Sequence, residues 1–236
     1  MLKPDLQVSD EHMMRHCFDL AEQAADQGEY PYAAVIVRDG KIVAETVNRV
    51  AQDRDVTRHA ETVAICEAQQ TLDSTDLSDC TIYSNMEPCA FCSYAIRESR
   101  IAKVVFSMRS PVMGGVSRWN ILGDRVLSDT MPEVFAPPPV LLADFLGEEG
   151  DAALRRSAPL VRSFMRSRGL LAVPSPRHGG GDRALPVKPA RGYDGVMEWI
   201  MRGLRRNFFD RFGRGGGGGS RLKSRLRAGK NVTPSP

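Results

Sequence analysis

The 236-residue chain, with 42% hydrophobic residues, is long enough to bury one ordinary domain with some length to spare. Its net charge of +3 hides a split: residues 1–150 hold 13 basic against 24 acidic side chains, and residues 151–236 hold 19 against 5. No apolar run approaches the roughly 18 residues that span a bilayer, and the first residues lack the apolar stretch of a secretory signal, so a cytoplasmic protein without a transmembrane segment is expected.

Ser9 has the chemistry of a helix N-cap, and Met13, Met14, Cys17, Leu20, Ala21, Ala24 and Ala25 then recur at helical spacing up to Gly28. Two β-prone segments, Tyr32 to Val37 and Ile42 to Val47, flank Asp39-Gly40, a hairpin signal. The polar stretch from Asn48 to Arg58 reads as a loop, with Thr57 as the cap of a helix starting near His59. A strand over Cys80 to Asn85 leads to Pro88, placed to open another helix, and Val104-Val105-Phe106 forms a buried strand after it. The helix between those two strands is long enough for a parallel crossover, so the order of elements predicts an α/β layered sheet. Ser110 to Arg125, rich in Gly, Ser and Pro, reads as a pocket wall containing Trp119 and Asn120. After Pro137-Pro138-Pro139, a final helix is expected from Val140 to about Arg156.

The chemistry is concentrated between His59 and Cys92. His59-Ala60-Glu61 is followed 27 residues after the glutamate by Pro88-Cys89-Ala90-Phe91-Cys92. One imidazole and two thiolates make three ligands for Zn2+ and leave a fourth tetrahedral position for water, the pattern of a catalytic rather than a closed structural site. Glu61 lies beside the metal without being a ligand, placed to carry protons. Five cysteines, two of them in this C-x-x-C, fit metal binding better than a disulfide framework. Cys17, Cys66 and Cys80 are expected to be buried small hydrophobes, and His12 and His16, with no third ligand, are expected to pack or face solvent.

This H-x-E and P-C-x-x-C pattern resembles the cytidine deaminase-like superfamily of zinc nucleobase deaminases. The likeness covers roughly residues 8–127. Met86-Glu87-Pro88-Cys89, Ser99-Arg100-Ile101 and Val104-Val105-Phe106 resemble the guanine deaminase and tRNA adenosine deaminase branch. The resemblance implies a three-layer α/β/α fold with a mixed five-stranded sheet, its last strand near Glu133 to Phe135. It also implies substrate contacts from Asn48, from the backbone of Ala60 and Pro88, and a homo-oligomer, a dimer in the first instance. Phe91, Trp119 and Asn120 are further candidates for contact with a base.

Within that branch, tRNA enzymes usually carry an aspartate after the Val-Val-Phe strand and a Lys-x-Gly-Ala segment beyond it. This chain has Ser110 and Pro111-Val112-Met113-Gly114-Gly115 instead, and its first 150 residues are acidic. The reading favoured by the sequence is therefore hydrolytic deamination of a free nucleobase or nucleoside, a purine before a pyrimidine. Two alternatives stand beside it: a tRNA adenosine deaminase that meets nucleic acid through its basic tail, and a non-catalytic, zinc-stabilised interaction module.

The domain boundary is expected near residue 156. Residues 157–236 read as a basic Gly/Pro/Arg-rich tail, mostly disordered, with an amphipathic helix over 194–212 in which Trp199, Ile200, Leu204 and Phe208 alternate with arginines.

Overall fold

In a computed structural model of the chain, residues 9–174 are described. Among these residues the order of elements is α1 (Asp10–Asp26), β1 (Ala33–Arg38), β2 (Lys41–Val47), α2 (Val50–Asp53), α3 (Ala60–Leu72), β3 (Cys80–Met86), α4 (Ala90–Glu98), β4 (Lys103–Met108), α5 (Arg125–Thr130), β5 (Val140–Leu142), α6 (Gly147–Ser157) and α7 (Pro159–Ser167). Ser9 caps α1, its hydroxyl accepting the His12 N–H at 3.2 Å. The sheet order is β2-β1-β3-β4-β5. β1 is antiparallel to β2 and β3, whereas β3 and β4, and β4 and β5, run parallel.

Side-chain alternation along the strands sorts the core into two layers. Ala34, Ile36, Ile82, Val104 and Phe106 face α3 and α4, meeting Ala64, Ala68 and Ile96. Val35, Val37, Tyr83 and Val105 face the opposite side, meeting Met13, Met14, Cys17 and Phe18 of α1 and Ala153 of α6. The result is the mixed, five-stranded three-layer sheet that the resemblance implied. Because β3 and β4 are parallel, their carboxyl ends and the segments leaving them lie at one edge of the sheet, where open α/β folds place their sites.

Several boundaries differ from expectation. The last strand is Val140–Leu142, paired with Lys103–Val105, and not 133–135. In 133–135 the backbone is turned, and Phe135 is buried with its ring 6.0 Å from that of Tyr94. The run Val140 to Leu146, read as a helix start, is too short for periodicity to separate strand from helix. The Val140 N–H donates to the Ala102 carbonyl at 2.8 Å, and helix begins only at Gly147. The segment before His59 holds the short helix α2. Cys66 is exposed, on the outer face of α3, while Cys17 and Cys80 are buried.

Contacts with the sheet continue past residue 156, where the sequence places the domain boundary. Residues 159–171 pack on the domain: Met165 and Leu171 join Met86, Met108 and Leu154 in a third apolar cluster at the end of β3 and β4. Asp151 fixes α7 by bonding both Arg162 and Arg166. Met165, with the partly buried Val161 and Phe164, gives α7 an inward apolar stripe that the surrounding arginines mask in composition. The expected disorder of the remaining tail and the helix over 194–212 fall outside the described residues.

Candidate zinc centre

His59 and Cys89 are each the residue immediately before a helix. Both have extended backbones, φ −69°, ψ 151° for His59 and φ −68°, ψ 172° for Cys89, and neither side chain makes a capping hydrogen bond. An N-cap side chain ordinarily satisfies a backbone N–H of the first turn. Here both side chains turn instead toward each other. Cys92, one turn into α4, completes the group: His59 Nδ1 lies 3.5 Å from Cys89 Sγ and 3.4 Å from Cys92 Sγ, and the two sulfurs are 3.5 Å apart.

Three soft donor atoms in a near-equilateral triangle fit zinc. Tetrahedral bond lengths of about 2.3 Å to sulfur and 2.05 Å to nitrogen put such atoms roughly 3.6–3.8 Å apart. Among the described residues this is the group of acidic, cysteine and histidine ligand atoms close enough to hold a metal. Cys92 is buried while His59 and Cys89 are partly exposed, so the triangle is open on one side. The Cys92 side chain 3.5 Å away, and with it the His59 imidazole, outweigh burial and bring Cys89 down to about 4. The same close contact and burial push Cys92 up. Helix N-termini at both ligand turns add to the preference for thiolate.

Glu61 sits on the first turn of α3, buried, with the Ser84 hydroxyl 3.4 Å from Oε1 and Cys92 Sγ 3.5 Å from Oε2. Burial and then the neighbouring Cys89 raise its carboxyl above the ordinary glutamate value. A carboxyl raised that way is better suited to gaining as well as losing a proton than an exposed one.

The other candidates divide. Phe91 is 50% exposed and sets its ring edge-on to the His59 imidazole at 6.0 Å. Asn48 is buried, and its amide nitrogen donates to Glu29 Oε1 at 3.0 Å. The Ala60 carbonyl already accepts the Thr46 hydroxyl at 2.7 Å, leaving its N–H, at the helix start, as the backbone group to offer. The Pro88 carbonyl accepts the Gly115 N–H at 2.8 Å and the Ser93 hydroxyl at 3.2 Å. Trp119 is 55% exposed with the Arg118 guanidinium 5.0 Å over its ring, and Asn120 is exposed in a left-handed turn at φ 52°.

Three residues that frame the centre were missed from sequence. Glu29 accepts the N–H groups of Tyr30, Ala51 and Gln52 in addition to Asn48, and so holds the segment leading to His59. Glu87 accepts four donors from residues 110–117. Arg97, buried, donates to Ile121, Asp124, Ser128 and Ala136. The signal that was present is a charged residue directly beside an apolar one within an expected element: Glu87 after Met86 at the end of a strand, and Arg97 beside Ile96 on a helix.

An open-sided His-Cys-Cys triangle beside a buried glutamate, at the carboxyl edge of an α/β sheet, defines a zinc-dependent hydrolytic centre. Residues 7–108 match the family model described as the cytidine and deoxycytidylate deaminase zinc-binding region. A tRNA-specific adenosine deaminase of Aquifex aeolicus is 38% identical over 128 residues, 54% of this chain and 85% of that protein. The tRNA-specific adenosine deaminase of Haemophilus influenzae is 35% identical over 124 residues, 52% of this chain and 72% of that protein. Among solved structures, one from studies of A-to-I editing by tRNA:A34 deaminases at the wobble position superposes with a TM-score of 0.52 at 28% identity, over 61% of this chain and 99% of that one. Guanine deaminase from Nitrosomonas europaea shares the fold, with a TM-score of 0.52 at 23% identity over 66% of this chain and 87% of that one. The chain belongs to the zinc-binding cytidine and deoxycytidylate deaminase family.

Proposed function

We propose that the protein deaminates adenosine in RNA, a tRNA in the first instance, replacing the exocyclic amine with a carbonyl and releasing ammonia. The observation that carries the reading is the likeness to tRNA-specific adenosine deaminases, which extends over 85% of the Aquifex aeolicus protein, with the whole ligand set inside the matched zinc-binding region. The half-exposed rings of Phe91 and Trp119 offer the kind of face on which an unstacked base packs. The excess of basic residues after position 150 supplies positive charge for a phosphate backbone.

His59, Cys89 and Cys92 would hold the zinc, which when bound supplies a Lewis acid that makes water a nucleophile near neutral pH. Glu61 takes a proton from the attacking water on a carboxylate oxygen. It passes that proton to the ring nitrogen next to the attacked carbon, then takes the remaining proton from the hydroxyl added to that carbon and gives it to the departing amine. A C–O bond forms, the C–N bond breaks, and ammonia leaves. The Ser84 hydroxyl, 3.4 Å from Oε1, steadies the Glu61 carboxyl beside the metal position, and Phe91 limits how far the His59 ring swings.

A second reading, a free purine base or nucleoside, is favoured by Ser110 and by Gly114-Gly115, which replace the aspartate and the Lys-x-Gly-Ala segment expected of tRNA enzymes. The deciding experiment measures ammonia release and inosine formation by the zinc-loaded full chain on an anticodon stem-loop, and on adenine, guanine, cytosine and their nucleosides. Turnover of the stem-loop is expected. Turnover of a free base alone would replace the first reading with the second, and silence on every substrate with one zinc bound would favour the non-catalytic module. Self-association, implied by the resemblance, is checked by sedimentation of the same preparation.

A further inference from the structure

Glu87 stands between the last residue of β3 and the ligand turn Pro88-Cys89. Its backbone continues the sheet, the N–H donating to the Met108 carbonyl at 2.8 Å. Its side chain is 3% exposed and leaves the sheet for the segment after β4. Oε1 accepts the Val116 N–H at 2.9 Å and the Ser117 N–H at 2.6 Å, and Oε2 accepts the Ser110 N–H at 2.7 Å and the Ser117 hydroxyl at 2.7 Å. A buried carboxylate with both oxygens doubly bonded to donors on one short segment acts as a rigid strut, because loosening it leaves a charge and three backbone N–H groups unsatisfied.

The segment is shaped to receive it. A Cβ on Gly114 would stand 2.2 Å from the Glu87 carboxyl carbon, and one on Gly115 would stand 1.8 Å from Ser93 Oγ and 3.1 Å from the Pro88 carbonyl oxygen. Both glycines are therefore required for close approach. Gly114 forms an isolated bridge with Cys89 itself, and the Gly115 N–H donates to Pro88. From Gly114 the carbonyl accepts the N–H groups of Arg118 and Trp119, and the Gly115 carbonyl accepts that of Leu122. One carboxylate thus lies at the junction of the zinc-ligand turn and the stretch that carries Trp119.

We propose that Glu87 is a positioning residue that couples the two: it sets the 110–117 segment, a wall of the substrate site, against the Cys89 turn so that ligand geometry and wall move as one unit. This rests on the reading of the loop as a substrate wall, but its mechanical core does not. Neither oxygen tolerates exchange for an NH2 group. An amide at Oε1 faces two backbone N–H groups, and at Oε2 it faces the Ser110 N–H, with only the Ser117 hydroxyl able to turn and accept.

The test compares the full-length protein with Glu87→Gln, with Gly114→Ala, which disturbs the same contact from the other side, and with Ser117→Ala, a mild variant that removes one of four donors. Residue-resolved amide exchange and zinc release to a chelator are read first, neither of which needs a substrate. Glu87→Gln and Gly114→Ala are expected to speed exchange at Ser110, Val116 and Ser117 by tenfold or more while Val35 and Ile36 stay unchanged, and to speed zinc release several-fold. Ser117→Ala gives a smaller change in the same sense. On whichever substrate the unaltered protein turns over, KM rises while kcat changes by less than threefold. Unchanged exchange at 110–117, a rise shared equally by Val35 and Ile36, or zinc release at the unaltered rate despite a loosened loop would each overturn the proposal. Absence of turnover in the unaltered protein bears on the deaminase reading alone, and exchange with zinc release then decides the role of Glu87.

Discussion

His59 and Cys89 occupy equivalent places in two different helices: each is the N-cap residue, of α3 and of α4, and Nδ1 and Sγ meet 3.5 Å apart. Two helix starts therefore aim their positive ends at one point, and capping has been surrendered to metal binding. Cys89→Ser separates the two duties. Serine is a good N-cap, so α4 keeps its start, but a hydroxyl is a poor substitute for thiolate at zinc. Metal analysis of purified protein is expected to fall from about one zinc per chain to a small fraction of that, with far-ultraviolet dichroism unchanged.

Glu61→Gln preserves shape and removes the proton carrier. Zinc content is expected to stay at the unaltered level while kcat falls on the order of 10²–10⁴-fold on the substrate identified by the panel. A variant with normal turnover would exclude Glu61 from proton transfer.

Arg97 tests the far side of the same loop. Its guanidinium is buried at 1% exposure and donates to three carbonyls and the Ser128 hydroxyl, with no carboxylate bonded to it among the described residues. Burial depresses its pKa, though Asp124 works in the opposite direction. Arg97→Met strands these acceptors and is expected to cost about 3 kcal/mol in urea unfolding. Proteolysis should then cut first between residues 121 and 136, the span that Arg97 holds.

Asp10 gives the fold an acid-sensitive link. Burial opposes its charge, but Lys103 Nζ at 2.7 and 2.8 Å and the Tyr83 hydroxyl at 2.6 Å outweigh burial, so the carboxyl lies below the ordinary aspartate value. A depressed carboxyl contributes stability above its unfolded value, roughly 4, and that contribution is lost as pH falls through the lower folded value. Asp10→Asn is therefore expected to be less stable than the unaltered protein at pH 7 by about 1 kcal/mol, and the gap should close toward pH 3. Urea midpoints at the two pH values check it.

Met165 reports whether α7 belongs to the domain. It is buried, and the Tyr32 hydroxyl donates to its sulfur at 3.4 Å. Met165→Ala is expected to cost about 2–3 kcal/mol through lost burial and the cavity left behind. A chain cut after residue 156 should lose more than this, because Met86, Met108 and Leu154 would also be uncovered. An unchanged melting temperature in either case would place the domain boundary back at 156.

The metal group and most of the sheet were legible because their signals are local. Short continuous apolar runs mark β1 and β4, and the spacing of His59, Glu61, Cys89 and Cys92 marks the chemistry. What the sequence hid is set by long-range partners. Val140–Leu142 is strand rather than helix because Ala102 and Lys103–Val105 wait beside it. The helix of 159–167 shows no apolar excess, and only Asp151 and the cluster around Met86 explain why it docks. Glu87 and Arg97 look like ordinary charges until their acceptors and donors, 23 to 39 residues away, are seen. Pro88 was expected to begin α4, but Cys89 takes the cap and the helix starts at Ala90.

The separation of anchors from exposed positions along residues 110–136 has a consequence for how this scaffold changes over generations. Glu87 and Arg97 hold the stretch from beneath, through backbone groups and small hydroxyls that almost any sequence provides. Met113, Arg118, Trp119, Asn120, Val126 and Met131 face outward and contribute little to that framework. Variation at these six positions is therefore of small risk to folding, and, on the proposed reading of the 110–125 stretch as a substrate wall, is where new substrate preferences would be explored. A library randomised there, with both anchors and both loop glycines left intact, samples recognition while the metal centre stays constant.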